Sequence, residues 1–217
     1  MKKVFKGRKV LVTAGPTWVA IDAVRVLSNI SSGELGLMLG QEAARMGAKV
    51  DLLLGPVGPV VARRGVRVVR FSYFHELDKL IDRVLKKNKY DVVLHAAAVS
   101  DFWMSAKQWK LSSARTGLVL KLKQTPKIIS KIRKMNPHAF LVMFKLESGV
   151  KDSALMRRAQ QSRAASRADL VVANTYESGR YRAFVSNGSG LIAKYASKKA
   201  LAKNLVSLCA KKIRKQS

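Results

Sequence analysis

Cysteine is nearly absent from this chain. A single residue, Cys209, in a sequence of 217 excludes an internal disulfide framework and every multi-cysteine metal centre. Its place on the apolar stripe of the last predicted helix reads as core packing, not as a reactive thiol. Histidine is sparse as well: His75, His95 and His138 stand far apart, and their spacing supports no zinc site. No apolar run approaches the roughly 18 residues that a membrane span needs. The N-terminus, MKKVFKGRKV, is basic but leads straight into a strand, without the hydrophobic region and cleavage site of a signal peptide. These absences predict a soluble, cytoplasmic protein with no membrane partner.

Acidic residues are also few. Thirteen Asp and Glu stand against 42 Lys and Arg, a formal net charge of +29, which suggests anionic partners. The cations are not gathered into one arm. They recur as solvent-facing punctuation at Arg63–Arg64, Lys86–Lys87, Lys131–Lys134, Arg157–Arg158, Lys198–Lys199 and Lys211–Lys215, and no aromatic-interleaved RNA motif accompanies them. Association with nucleic acid is therefore expected to be non-specific, sequence-blind and steeply salt-dependent.

What is present is an alternation of strand and helix. The sequence is 48% hydrophobic, enough to bury a core, and neither repeats nor a linker divide it, so residues 1–217 read as a single domain. VLVTAG (Val10–Gly15), KVDLLLG, GVRVVRF, DVVLHAAAV (Asp91–Val99), AFLVMFKLE and DLVVAN read as buried strands. Between them lie predicted helices from Gly33 to Met46, from His75 to Lys87, from Pro126 onward, around Ala154–Arg167 and from Ser197 to about Lys215. The pattern predicts an α/β, Rossmann-like three-layer fold, a mostly parallel sheet with helices on both faces. Two parts break it: an irregular stretch, about 101–123, ending in the alternating LVLKLK, and a hairpin, about 181–196, turning at Asn187–Gly188.

Ligands of open α/β sheets sit beyond the carboxyl ends of the strands, which here are TAGPT, LLLGP, AAAVSDF and VVANT. Gly15 lets backbone approach a ligand, and the free amides of Ser32, Gly33 and Gly36 in SNISSGELG (Ser28–Gly36) suit an anion at a helix N-terminus. The plain alternative is that Ser31 or Ser32 caps the helix and Gly33 fills a tight bend. TAGPT is neither a Walker loop nor a dinucleotide fingerprint. In AAAVSD, three alanines precede one carboxylate, Asp101; alone, this reads more readily as a strand packed beneath a helix, with Asp101 as a cap, than as a ligand site.

Together the motifs are more specific. TAGPT…IDAVRVLSNISSGELG, followed by AAAVSDF, TPKII, MFKLES and ADLVVANT in that order, closely resembles the phosphopantothenate–cysteine ligase family, the synthetase half of a bifunctional coenzyme A biosynthesis protein. The resemblance runs from about Lys9 to the last helix. It implies a dimerising Rossmann-like fold that joins 4′-phosphopantothenate to cysteine with CTP or ATP. The carboxylate attacks the nucleotide α-phosphate, pyrophosphate leaves, and the cysteine amine displaces the nucleotide monophosphate from the acyl-nucleotide. Mg²⁺ is the implied cofactor, and the next step in the family's pathway is a flavin-dependent decarboxylation, here expected of a separate protein.

Residue by residue, the resemblance makes Asn29 the substrate asparagine, catalytic in the second half-reaction, and Asp101 the carboxylate beside substrate and nucleotide. It places Ala97 and Ala98 along the pantothenate channel, Phe144 against the base, and Pro126, Lys127, Ile128 and Ile129 at the base's border. Gly15, Ser32, Gly33 and Gly36 would hold phosphates. KLSS points to Lys110 as the loop lysine, while ungapped counting back from LVLKLKQTP reaches Lys107; Lys110 is preferred. Two departures stand out: Trp18–Val19 replaces a polar pair, and an Arg/Ser-rich stretch, Ser162–Arg167, stands where family members carry nucleotide-contacting lysines. They keep open a nucleotide-binding relative without ligase activity, and the charge keeps open a basic nucleic-acid-binding module.

Overall fold

The computed structural model describes residues 4–112 and 117–214. The chain begins with β1 (Lys9–Ala14), a hairpin of β2 (Trp18–Ala20) and β3 (Val26–Ser28), then α1 (Glu34–Arg45), β4 (Lys49–Leu54) and β5 (Val66–Arg70). There follow α2 (Phe74–Lys87), β6 (Val92–His95), the short β7 (Phe102–Trp103) and β8 (Lys123–Gln124), α3 (Ile128–Met135), β9 (Phe140–Leu146) and α4 (Asp152–Ser166). The last part is β10 (Leu170–Glu177), β11 (Arg180–Asn187), β12 (Gly190–Tyr195) and α5 (Lys198–Arg214).

One eight-stranded sheet organises all of this, in the order β12-β11-β10-β9-β6-β1-β4-β5. The pairs from β5 through β10 are parallel, and β10-β11-β12 is an antiparallel meander. The parallel part is the predicted Rossmann-like arrangement, with the strand order reversing at β1 and β6. Alternation along β1 explains the layers. Val10, Val12 and Ala14 join Leu39 and Ala43 of α1 and Leu201, Leu205 and Cys209 of α5. Leu11 faces Leu77 and Ile81 of α2, Ile132 of α3 and Leu155 of α4. Such helices supply an apolar stripe at the period of the turn and solvate the rest. Burial pushes the Cys209 thiol's pKa up, in keeping with a core side chain.

One contact sets the seat of α1. A Cβ on Gly36 would lie 2.3 Å from the Ala14 Cβ, so only glycine lets the first turn of this helix rest on the end of β1. The helix stops where Gly47 takes φ +98°, the left-handed conformation that ends many helices.

Several expectations are corrected. The strand predicted over Asp91–Val99 ends at His95, because Ala98 leaves the sheet to bridge Pro16. Pro126 lies two residues before α3, whose N-cap is Lys127. The LVLKLK alternation does not make a strand. Leu118 and Val119 are exposed, and only Lys123 and Gln124 find a partner, in Phe102–Trp103. The hairpin is present, yet Asn187 pairs with Gly190, so its loop is Gly188–Ser189, with Asn187 Oδ1 accepting the Ser189 N–H at 2.9 Å.

Candidate active site at the carboxyl ends of the strands

The chain crosses itself where β1 and β6 end. The Ala98 N–H donates to the Gly15 carbonyl at 2.9 Å, and the Thr17 N–H to the Ala98 carbonyl at 3.3 Å. Thr17, fully buried, accepts the Ser100 N–H on its hydroxyl at 2.8 Å. These bonds hold Gly15–Thr17 and Ala96–Ser100 as two rails beyond the sheet. Gly15 (φ +76°) and Gly33 (φ +69°) take left-handed backbone. A Cβ on Gly33 would lie 3.3 Å from the Gly15 nitrogen, and one on Gly55 only 2.1 Å from the Pro16 carbonyl oxygen. The close approach of three backbones at this point depends on glycine.

The β2–β3 hairpin carries Asn29 back over these rails. Its Nδ2 donates to the Ala98 carbonyl at 3.2 Å, so Asn29, Ala98 and, through the next turn, Asp101 come together as expected. Leu27, Ser28, Asn29, Val99, Ser100, Asp101, Phe102 and Leu122 line a cavity of about 250 Å³. Asp101 Oδ1 pairs with Lys127 Nζ at 2.6 Å, both ends exposed; such a pair contributes little to stability but places a cation and an anion at the rim. At the head of α1 no side chain caps the helix, apart from a long 3.4 Å contact from the Glu34 N–H to Ser32 Oγ. The following amides and the helix dipole favour an anion there. Glu34, which would oppose it, is bound by Lys198 Nζ at 2.6 Å.

Not every predicted contact is placed at the crevice. Ile128 and Ile129 are buried in the α2–α4 layer, so their side chains pack the core, and only Pro126 and Lys127 of that segment are exposed. Gly36 has a packing reason, given above. Phe144 is half-buried near the end of β9, on the α1–α5 side of the sheet. Of the two departures, Trp18–Val19 stands behind the cavity wall, paired with Ser28 and Leu27 across the β2–β3 hairpin. Trp18 donates its N–H to Ser72 at 2.8 Å and meets Tyr73 edge-on, while Val19 is buried. Residues 162–167 end α4 beside Leu170, at the opposite end of the sheet, about 15–20 Å away at ~3.3 Å per strand residue.

The loop lysines are tied down indirectly. The Lys107 N–H donates to the Ile21 carbonyl at 3.2 Å, and the Leu111 N–H to Asp22 Oδ2 at 3.0 Å. Lys107 Nζ rests over the Trp109 ring, 5.7 Å from its centre. Lys110 is exposed and has no ion-pair partner among the described residues; neither lysine lines the cavity.

Sequence reasoning missed Asp22. Its carboxylate also takes the Val24 and Arg25 N–H groups and the Arg25 guanidinium, and Arg25 in turn donates to the Leu111 carbonyl. The Val24 amide first, with those of Leu111 and Arg25, outweighs burial and holds the carboxyl below its usual pKa. Its signal was the spacing IDAVR inside the long motif, whose Asp and Arg close one hairpin turn. Asp22→Ala is expected to release the Lys107–Leu111 segment, raising the rate of tryptic cleavage there on the order of tenfold. Unchanged cleavage would show the loop to be held by other contacts.

His95 was expected to be structural or exposed and unrelated to the site; it ends β6, next to Ala96–Ala98. Thr13 Oγ1 accepts the Ala97 N–H at 3.2 Å and shares a hydrogen bond with His95 Nδ1, 2.8 Å away. Burial lowers the imidazole pKa from 6.5 to about 4, which keeps it neutral and able to accept. Unfolded chain takes up this proton near pH 6.5, folded chain only near 4. Stability is therefore full above pH 6.5 and declines as pH falls toward 4. The decline is about 2 kcal/mol, less than the bare shift implies because the ring is only half-buried. Thermal melts of His95→Gln between pH 4 and 6.5 are expected to lose that part of the slope.

Among the described residues no three His, Cys, Asp or Glu side chains gather as a metal site, and no helix is long and apolar enough to cross a membrane. Comparison with known proteins gives a consistent answer. The family model for the DNA/pantothenate metabolism flavoprotein C-terminal domain matches residues 5–216. The coenzyme A biosynthesis bifunctional protein CoaBC of Thermococcus kodakarensis is 39% identical over 174 residues, 80% of this chain and 42% of that protein. The Methanocaldococcus jannaschii protein of the same name is 28% identical over 173 residues, 78% of this chain and 41% of its own length. The chain thus spans about two fifths of these relatives. The crystal structure of the DNA/pantothenate metabolism flavoprotein from Streptococcus pneumoniae superposes with a TM-score of 0.84 at 28% identity, covering 97% of this chain and all of that one. With its Rossmann-like sheet and the motif-bearing crevice at the strand ends, the chain belongs to the DNA/pantothenate metabolism flavoprotein C-terminal domain family.

Proposed function

We propose that this chain is a phosphopantothenate–cysteine ligase of coenzyme A biosynthesis. The observation that carries the reading is that Asn29 and Asp101 line one cavity, with Asn29 bound to the Ala98 carbonyl, at the point where the strand order reverses. In this reading the nucleotide phosphates lie against the uncapped head of α1, at Ser32, Gly33 and Gly36, with Gly15 beneath. The base reaches toward Phe144 and Pro126–Lys127, and phosphopantothenate passes along Ala97–Ala98.

The reaction places demands that these groups meet. A carboxylate oxygen attacks the α-phosphorus and the bond to pyrophosphate breaks. The cysteine amine then attacks the acyl carbon, a C–N bond forms and the nucleotide monophosphate leaves. Both steps build negative charge, which backbone amides fixed in advance and the exposed Lys110 would stabilise. Lys110 serves the first step; Asn29 orients the acyl-nucleotide for the second. Asp101 is the carboxylate that lines the cavity. Mg²⁺ usually binds through one or two carboxylates and the nucleotide's own phosphates, so a three-residue cluster is not required; Asp101, paired here with Lys127, would hold it, and it would neutralise phosphate charge.

The deciding experiment is pyrophosphate release from phosphopantothenate with CTP or ATP, each with and without cysteine. Release with one nucleotide, and phosphopantothenoylcysteine as product once cysteine is added, supports the reading. No release with either nucleotide counts against it. Neither departure from the family pattern lines the cavity itself, although Trp18 and Val19 pair with its lining residues Ser28 and Leu27.

The assembly belongs to the same proposal. β12 is an open edge of the sheet carrying exposed Leu191 and Ile192, and Trp109, Leu118 and Val119 stand exposed on the 101–123 arm. Open edges and apolar surface of this kind are generally covered in solution. Sedimentation at micromolar concentration is expected to show a symmetric homodimer; a monomer would remove this part of the proposal.

A further inference from the structure

Asn174 lies one residue before the end of the buried stretch of β10, with its backbone engaged and its side-chain oxygen unserved. Its main chain pairs with Leu146 on β9 and Ala183 on β11, and its carbonyl accepts the Glu147 N–H at 3.1 Å. The residue is 9% exposed, yet its Oδ1 is buried and has no hydrogen-bond partner among the described residues. Burying an amide oxygen without a donor opposes folding, and such an oxygen asks for a donor from elsewhere.

The register fixes where that donor would come from. Val172 pairs with Phe144, and both face the α1–α5 layer. Asn174, two residues further, is on the same face, one step past Phe144 toward the carboxyl end of the sheet. The beginnings of α1 and α5 meet across this face through Glu34 and Lys198. A nucleotide with phosphates on the head of α1 and its base at Phe144 would turn the edge of that base to Asn174.

An acceptor at this place distinguishes bases. Cytosine and adenine present an exocyclic amine that donates; uracil and hypoxanthine present a carbonyl there, which would set two oxygens against each other. We propose that Asn174 determines base specificity by accepting a hydrogen bond from the exocyclic amine of CTP or ATP. This rests on the nucleotide reading above.

Tyr181 provides the contrast. It faces the same layer one diagonal step away, its hydroxyl is also buried and without a partner among the described residues, and Tyr181→Phe removes that oxygen alone. The test is calorimetric binding of CTP, UTP, ATP and ITP to the full chain, which needs no turnover. Wild type is expected to bind the amine-bearing member of its preferred pair at least about tenfold more tightly, the worth of one well-placed hydrogen bond. Asn174→Leu should bring the ratio to within about twofold. Asn174→Asp, whose carboxylate still accepts, should keep the preference, and Tyr181→Phe should leave it unchanged. Equal affinities for wild type, or an undiminished ratio in Asn174→Leu, would overturn the assignment. If Asn174→Leu does not fold, the wild-type ratio and its retention in Asn174→Asp decide. Failure to bind any of the four nucleotides overturns the nucleotide reading itself, whereas tight binding without amine preference overturns only the role of Asn174.

Discussion

Lys110→Gln is expected to slow pyrophosphate release by on the order of 100-fold or more, whether or not cysteine is present. The reason is electrostatic. The α-phosphate gains charge as the pantothenate carboxylate attacks it, and a cation brought close in a dry site is worth a few kcal/mol there. Lys110 is exposed and without an ion-pair partner among the described residues, on a segment whose next residue is anchored to Asp22. Lys107 is less free, since its backbone is bound to Ile21 and its ammonium covers Trp109. Lys107→Gln should stay within a few-fold of wild type in the same stopped-time assay. A dead Lys107→Gln beside a normal Lys110→Gln would move the role by three positions.

Asn29→Asp should fail later, at the second half-reaction. Asn29 Nδ2 donates to the Ala98 carbonyl; a carboxylate cannot, and it would repel both that oxygen and the tetrahedral intermediate. Loss of one such donor typically costs about 10²–10³ in rate. Pyrophosphate should therefore appear at near-normal rate in the first turnover while acyl-nucleotide accumulates. Rapid quench with labelled phosphopantothenate, followed by chromatography for the mixed anhydride, measures this. If both variants stop before the anhydride, the division between the two residues is wrong.

Much of the fold was legible because burial imposes simple periods. The central parallel strands β1, β6, β9 and β10 are largely apolar runs, and the helices show one stripe each, so both types were readable even though their ends shifted. What failed were features decided at a distance. Ala96–Val99 reads as strand by composition but leaves the sheet for Pro16, far earlier in the chain. LVLKLK alternates like a strand, yet only its last residue is paired. The β2–β3 hairpin has strands of three residues each, too short for a period, and is closed by Asp22. The β10–β11 turn was readable but missed: Ser178 and Gly179 both take positive φ, 49° and 74°, the conformation that a Ser-Gly pair between two strand-like runs announces.

The site was legible in a different way. Asn29 and Asp101 came from a long motif, and the chain brings them together as that motif implied. Ile128 and Ile129 came from the same alignment, but a segment that borders a ligand also has a side that faces the core, and a linear pattern does not separate the two. His95 was assigned no role, and Asn174 stands inside ADLVVANT without one of its own. Their importance arises only when a neighbour's hydroxyl, or its absence, is known.

The central place of β1 also orders events during synthesis. With α1, β4 and β5, the first strand can assemble three of the sheet's eight strands from about a third of the chain. Its other flank must wait for β6, which emerges some 80 residues after it. Until then an apolar, unpaired strand edge travels with the ribosome, and parallel pairing across so long an interval is slow. The nascent N-terminal half is thus the stage at which this protein most needs a chaperone.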